Sequence, residues 1–248
     1  MTTNAIAWVV PCFNEAARLD STAFLGLADQ PATSIVFVDD GSTDPTLPRL
    51  REMEAKRPDR ISVLAMPHNR GKAEAIRQGI LHTLDGSADA VGFADADLAT
   101  PPAELQRLAH LMRTGDHDVV FGSRVQLLGR TIERRHVRHY VGRVFATCAS
   151  LSLGLPVYDT QCGAKIFRRS EALLAAIATP FKSRWAFDVE LFGRLVRPGH
   201  GTPGIALNRI WEEPLRAWTD VAGSKLSAVA GLRAAFDLAC IAWAIRRR

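Results

Sequence analysis

Two carboxylates separated by one alanine, Asp95 and Asp97, stand in FADADLATPP between an apolar run and a Thr-Pro-Pro that cannot continue a strand. AVGFA reads as the end of a buried strand, so both acids are delivered to the rim of a core. An Asp-x-Asp pair in that position suits a divalent cation, because hard oxygen donors bind magnesium or manganese and the metal in turn grips a diphosphate. The same pair, taken alone, also serves as a turn cap, so the neighbouring strand ends decide its weight. Each of those ends is polar: Asn14 and Glu15 after the first apolar run, Asp39 and Asp40 in VDDGSTD, and His68 to Lys72 in HNRGK. Other ways of gripping phosphate are excluded. VVPCFNE has no glycine where a GxGxxG would begin, and Gly71-Lys72 lacks the glycine spacing of a P-loop.

The elements that must position these residues alternate through the first half. Strands are predicted at 5–13, 34–42, 61–67 and 90–97, with helices at 15–29, 44–57 and 71–84. That alternation implies an α/β fold with a mainly parallel central sheet and helices on both faces, where ligands bind beyond the carboxyl ends of the strands. The second half is less regular. A helix is predicted at 102–113, a strand at 118–124, an amphipathic helix at 135–154, a loop and short strand at 159–170 and a helix at 185–196. The chain closes on an apolar segment interrupted by Arg233 and Asp237, read as a helix lying on a membrane surface or packed on the domain rather than a span. The expected organisation is one catalytic domain over 1–225 and this helix over 226–248.

With 248 residues, 47% of them hydrophobic, the chain can build one sizeable core. MTTNAIAWVVPCFNE has no basic region followed by a long apolar stretch, so no secretory signal is read and a cytoplasmic site of action is expected. Cysteines at 12, 148, 162 and 240 fit neither a CxxC metal site nor a disulfide framework. The net charge of +5 would suit nucleic acid, an anionic membrane or phosphorylated ligands. No RNA-recognition pattern or zinc finger accompanies it, so no nucleic-acid partner is expected. The charge concentrates between Arg124 and Arg143, with six arginines and two histidines against the single acid Glu133.

VVPCFNE, VDDGSTD, NRGKAEAIRQGI and FADADLATPP, in this order, together with GSR, DTQCGAKIF, RWAFDVELF and VAGSKLS, resemble the family 2 glycosyltransferases of GT-A (Rossmann-like) fold across nearly the whole chain. More narrowly, the sequence is similar to the polyprenyl-phosphate sugar synthases, the dolichyl-phosphate glucosyltransferases and mannose synthases. Carried over residue by residue, the resemblance implies that Pro11, Glu15, Asp39 and Asp40 hold the nucleoside and Lys72 the ribose or diphosphate. It also implies that Asp97 ligates Mg2+ or Mn2+ directly, with Asp95 on ribose or metal. Where mannose synthases read DADLQHPP, this chain has Ala99 and Thr100, which removes a third ligand from the loop; the LAT and DTQCG spellings favour UDP-glucose over GDP-mannose as donor. Arg124, Arg134 and Arg138 match the positions that hold the lipid phosphate of a polyprenyl phosphate acceptor, reached at the inner face of the membrane through the basic stretch and the C-terminal segment.

A guanidinium fork suits phosphate oxygens on chemical grounds alone. The resemblance implies inverting displacement, in which an acceptor phosphate oxygen attacks the anomeric carbon without a strong general base. Asp159 and Asp188 would then orient sugar or acceptor. Two alternatives stay open: transfer to a hydroxyl of a glycan or small molecule, with Asp188 or Asp159 as base, and a catalytically silent nucleotide-sugar-binding protein.

Overall fold

A computed structural model of the chain describes residues 5–133, 145–151, 153–184, 186–199 and 201–220, together with residues 238, 240, 241 and 243. β1 (Ile6–Cys12), β2 (Thr33–Asp39), β3 (Ile61–Ala65) and β4 (Ala90–Phe93) pair in parallel in the order β3-β2-β1-β4. α1 (Ser21–Ala28), α2 (Thr46–Lys56) and α3 (Lys72–Leu84) make the crossovers between them. These strands are apolar on both sides because both sides are covered. Val9, Val38 and Phe93 belong to the cluster with Ile76 and Ile80 of α3, whereas Trp8, Val10 and Phe37 pack with Phe24 of α1 and Leu50 of α2.

The second half completes the sheet differently from its parallel start. After α4 (Pro102–Thr114), β5 (Val119–Ser123) does not pair with β4. β7 (Lys165–Arg168) inserts between them, antiparallel to both, with Lys165 opposite Phe93 and Phe121. β8 (Ile210–Pro214) adds a parallel edge strand beside β5, giving seven strands. A separate parallel pair joins β6 (Thr131–Glu133) to β9 (Ala217–Thr219). α5 (Glu171–Ile177) and α6 (Phe187–Val196) cover the face that α3 covers.

The mainly parallel sheet with helices on both faces is as expected, with several local corrections. The first helix begins at Ser21, six residues after the predicted start, because the Asp20 carboxylate accepts the Ala23 N–H at 3.0 Å and caps it there. That leaves Glu15 to Leu19 free to form a turn at the rim, where Leu19 N–H returns to the Glu15 carbonyl. The fourth strand stops at Phe93, so Asp95 and Asp97 stand in the loop beyond it. The predicted helix at 135–154 is described only from 145 onward, where residues 145–151 are helical; residues 134–144 lie outside the described residues. So does the predicted boundary at 225/226. Of the closing segment, Leu238 and Ile241 are buried in the α3-side core and Cys240 and Trp243 are exposed. Among the described residues, no helix is long and apolar enough to cross a membrane.

Candidate functional site

Six strands run the same way, so their carboxyl ends share one rim, and the reversed β7 brings its entry loop, residues 159–164, to that rim as well. At the first two strand ends the loops are tied to each other. Asn14 sits at φ 55°, and its side-chain oxygen accepts the Thr43 N–H at 2.8 Å, while its own N–H donates to Ser42 Oγ at 3.0 Å. Pro11, opposite Val38, is partly exposed where β1 reaches the rim. Asp39 and Asp40 are both buried yet serve differently. Asp40 accepts the N–H groups of Arg70 and Gly71, each at 2.7 Å, and so fixes the start of α3. Asp39 Oδ2 takes the Ser42 N–H at 3.2 Å, whereas its buried Oδ1 has no hydrogen-bond partner among the described residues. A buried acceptor left in that state is costly unless a ligand donor meets it. The turn that follows admits only glycine: Gly41 has φ +69°, and a Cβ there would stand 2.7 Å from the His68 backbone.

The Asp-x-Asp pair meets two cations of the chain. Lys72, the first residue of α3, bonds Asp95, and Arg18 lies 3.9 Å from Asp97 and 2.5 Å from Glu15. Asp97 Oδ1 also accepts the Ala99 N–H at 3.1 Å, across Leu98 at φ 50°. Burial raises the carboxyl of Asp97 above the ordinary range, and the charge of Asp95 adds to the rise. Burial likewise raises Glu15, with Asp97 and Asp95 contributing, and Glu15 Oε2 is buried without a partner among the described residues. These acids repel one another despite Lys72 and Arg18, so a further positive charge would be favourable. The donor set fits Mg2+ or Mn2+ as hard oxygens. Among the described residues no group of three or more His, Cys, Asp or Glu is placed to hold a metal ion by itself.

Across β7 the rim is built from ion pairs. Gly163 lies against Asp95 so closely that a Cβ would fall 2.0 Å from its Oδ2. Two residues on, Lys165 is fully buried and donates to Asp188 Oδ1 at 2.7 Å and to the Cys162 carbonyl. Asp188, in the first turn of α6, is therefore held by a cation at the favourable end of the helix dipole. Burial still raises its carboxyl, against the pull of Lys165. At the end of β5, Arg124 grips Asp159 through Nε at 2.7 Å and Nη2 at 2.9 Å, with its guanidinium 5.3 Å from the Trp218 ring centre. The pairing with Asp159 raises Arg124 against the desolvation that opposes it. Arg134 and Arg138, predicted beside Arg124, lie outside the described residues.

Sequence reasoning missed Arg18, Lys165 and Glu212. Lys165 leaves a signal, as the single charge in the apolar run CGAKIF. Glu212 leaves less, one of two acids before a proline in IWEEP, within a stretch with no strand assigned.

The family model described as Glycosyl transferase family 2 matches residues 7–173. A dolichyl-phosphate beta-glucosyltransferase of Saccharomyces cerevisiae is 30% identical over 94% of this chain and 72% of its own length. The human dolichyl-phosphate beta-glucosyltransferase is 30% identical over 90% of this chain and 70% of its own. The fold matches Mycobacterium tuberculosis glucosyl-3-phosphoglycerate synthase in complex with UDP, with TM-score 0.68, 22% identity, and 96% of this chain and 80% of that one covered. It also matches that synthase with Mn2+, UDP and glucosyl-3-phosphoglycerate, with TM-score 0.68, 20% identity, and 97% and 79% covered. At those identities the likeness concerns the GT-A fold.

Proposed function

This chain belongs to glycosyl transferase family 2, and from that membership we propose that it transfers glucose from UDP-glucose to a polyprenyl phosphate with inversion at the anomeric carbon. The observation that carries the reading is the division of one rim by β7. Two neighbouring acids, Asp95 and Asp97, stand on one side, where the charge of Asp95 and burial disfavour ionised Asp97, and an arginine braced for an anion stands on the other, at Arg124. The relatives named dolichyl-phosphate beta-glucosyltransferase supply the sugar and the acceptor class.

In this reading Asp39 Oδ1 accepts a hydrogen bond from the base, and Asp40 acts through the loop that sets Lys72. Pro11 and Glu15 border the nucleoside, and Lys72 reaches the diphosphate. Asp95 and Asp97 hold Mg2+ or Mn2+, which when bound supplies positive charge at the departing diphosphate. Arg124, with Arg134 and Arg138 by resemblance, holds the acceptor phosphate so that an ionised oxygen attacks C1 as the bond from C1 to the diphosphate breaks. No proton need be removed. Asp188 orients the sugar and Asp159 orients Arg124. Both acids are engaged by cations, Lys165 and Arg124, which disfavours either as base for a hydroxyl acceptor. The basic stretch from 124 to 143 and the apolar C-terminal segment fit work at the cytoplasmic face of a membrane.

Two experiments test the donor side. UDP-glucose at about 100 times its dissociation constant should stabilise the protein by about 2.7 kcal/mol, roughly 5–11 °C in Tm, with a divalent cation and much less after chelation. A larger shift with GDP-mannose would overturn the choice of sugar nucleotide, and transfer from UDP-glucose to a polyprenyl phosphate must accompany the binding. Gly163→Ala should lower that transfer roughly tenfold, because the new methyl forces Asp95 to swing away from Lys72. Steady-state kinetics with an unfolding curve as control would read it, and unchanged turnover would mean that the position of Asp95 does not matter.

A further inference from the structure

The structure assigns Glu212, midway along β8, as the positioning residue for the acceptor-side arginine: it holds the loop whose Asp159 aims Arg124. This inference rests on the acceptor being a phosphate bound at Arg124.

The arrangement is a relay of charge-assisted bonds. Glu212 Oε2 accepts the Tyr158 N–H at 2.8 Å and Oε1 accepts the Asp159 N–H at 2.7 Å. Each carboxylate oxygen thus takes one of two successive backbone donors, which fixes the peptide leading into Asp159. The Asp159 carboxylate is then aimed at β5, where it takes Nε and Nη2 of Arg124 and also the Arg124 N–H at 3.1 Å. Trp218 closes the guanidinium from one face. This fork uses one edge of the guanidinium, and Nη1 makes no hydrogen bond to a described residue. A guanidinium fixed on one edge presents the other in a set orientation, which is how a phosphate is gripped without the entropy cost of ordering a free arginine. Glu212 does this from a distance, since β8 lies beside β5 in parallel register, with Glu212 opposite Phe121.

A second property separates Glu212 from an inert brace. Burial pushes its carboxyl up to about 7, opposed by the Asp159 N–H bond, the Ser123 hydroxyl and Lys165, with the negative charge of Asp159 adding to the rise. The charged groups facing it are Asp159 on the loop, Arg124 through that carboxylate, and Lys165 on β7. Above that pH Glu212 is ionised and accepts both N–H groups; below it the carboxyl carries a proton and one acceptor is lost.

Glu212→Gln keeps the side chain's size but can accept only one of the two N–H groups. The Michaelis constant for a short-chain prenyl phosphate should rise about tenfold at about pH 8, the effect of one lost charge-assisted hydrogen bond, while the UDP-glucose constant stays within about twofold. The ratio of acceptor constants, variant over wild type, should shrink toward one by about pH 6, where Glu212 of the wild type is itself protonated. Taking the ratio cancels the ionisation of the phosphate substrate. Glu212→Asp, too short to span both donors, should raise the acceptor constant similarly and serves should the glutamine variant not fold. An unchanged acceptor constant, a ratio that does not vary with pH, or equal rises in both substrate constants would overturn the assignment. A fall in kcat with an unchanged acceptor constant would also overturn it and would make Glu212 a general base for a hydroxyl acceptor. Absence of transfer to any prenyl phosphate by the wild type would be a different result, removing the phosphate acceptor and this inference with it.

Discussion

Asp97→Asn is expected to lower glucosyl transfer by about 10²–10³-fold, the scale on which a single electrostatic stabiliser at a reacting centre acts, while leaving the protein at least as stable as before. Asparagine matches the shape, and its side-chain oxygen can still accept the Ala99 N–H. Only the charge is lost. Burial and the neighbouring Asp95 raise the Asp97 carboxyl above its unfolded value, so the native state favours the protonated form. Stability from this group is greatest below the unfolded pKa and declines as pH rises through the window between the unfolded and folded values. Above the folded value the full cost of the ionised form is present, and the amide removes it. Lost turnover with an unchanged or higher Tm is the trade between activity and stability expected of a strained acid cluster. Steady-state transfer at saturating Mg2+ or Mn2+, with thermal unfolding of the same samples, reads both arms. Normal turnover would remove Asp97 from the cation site, and a fall in Tm of several degrees would make it a structural residue.

Lys165→Met should cost about 3–5 kcal/mol of stability, the penalty for leaving one member of a buried ion pair alone, or roughly 6–20 °C in Tm for a chain of this size. Lys165 is 0% exposed and Asp188 6%, so neither can turn to water without moving β7 or α6. Methionine fills the channel occupied by the lysine stem but leaves Asp188 without its cation and the Cys162 carbonyl without the donor from below. Part of the damage should be recovered by Lys165→Met combined with Asp188→Leu, because replacing both members of a buried pair with apolar groups removes the uncompensated charge. Urea unfolding of both variants distinguishes this from loss of packing. A cost under about 1 kcal/mol for the single variant, or no recovery in the double, would show that the pair is not what holds β7 to α6. The double variant should remain poor at transfer, since Asp188 is proposed to orient the sugar.

The sequence by itself determined the parallel half of the sheet and the acids on its rim. Two-sided apolar strands separated by helical periodicity leave little choice but crossover units, and residues such as Asp39, Asp40, Asp95 and Asp97 follow their strands too closely to go anywhere except the carboxyl edge. Local order also carried Lys72, the first residue of a helix expected over 71–84. Tertiary structure decided the acceptor side. Nothing in the short run KIFR says that it enters antiparallel between two strands that a simple crossover pattern would have made neighbours. Yet that reversal sets Gly163 against Asp95 and Lys165 against Asp188. Glu212 is 53 residues from Asp159, and Asp159 is 35 from Arg124, so the relay is invisible to any local window. Apolar periodicity reports only that a segment is buried. Which buried segment it meets is set by long-range pairing, where the free energy lies in contacts between residues distant along the chain. The donor site follows single strand ends and is legible from sequence, whereas the acceptor site is made by strands meeting and is not.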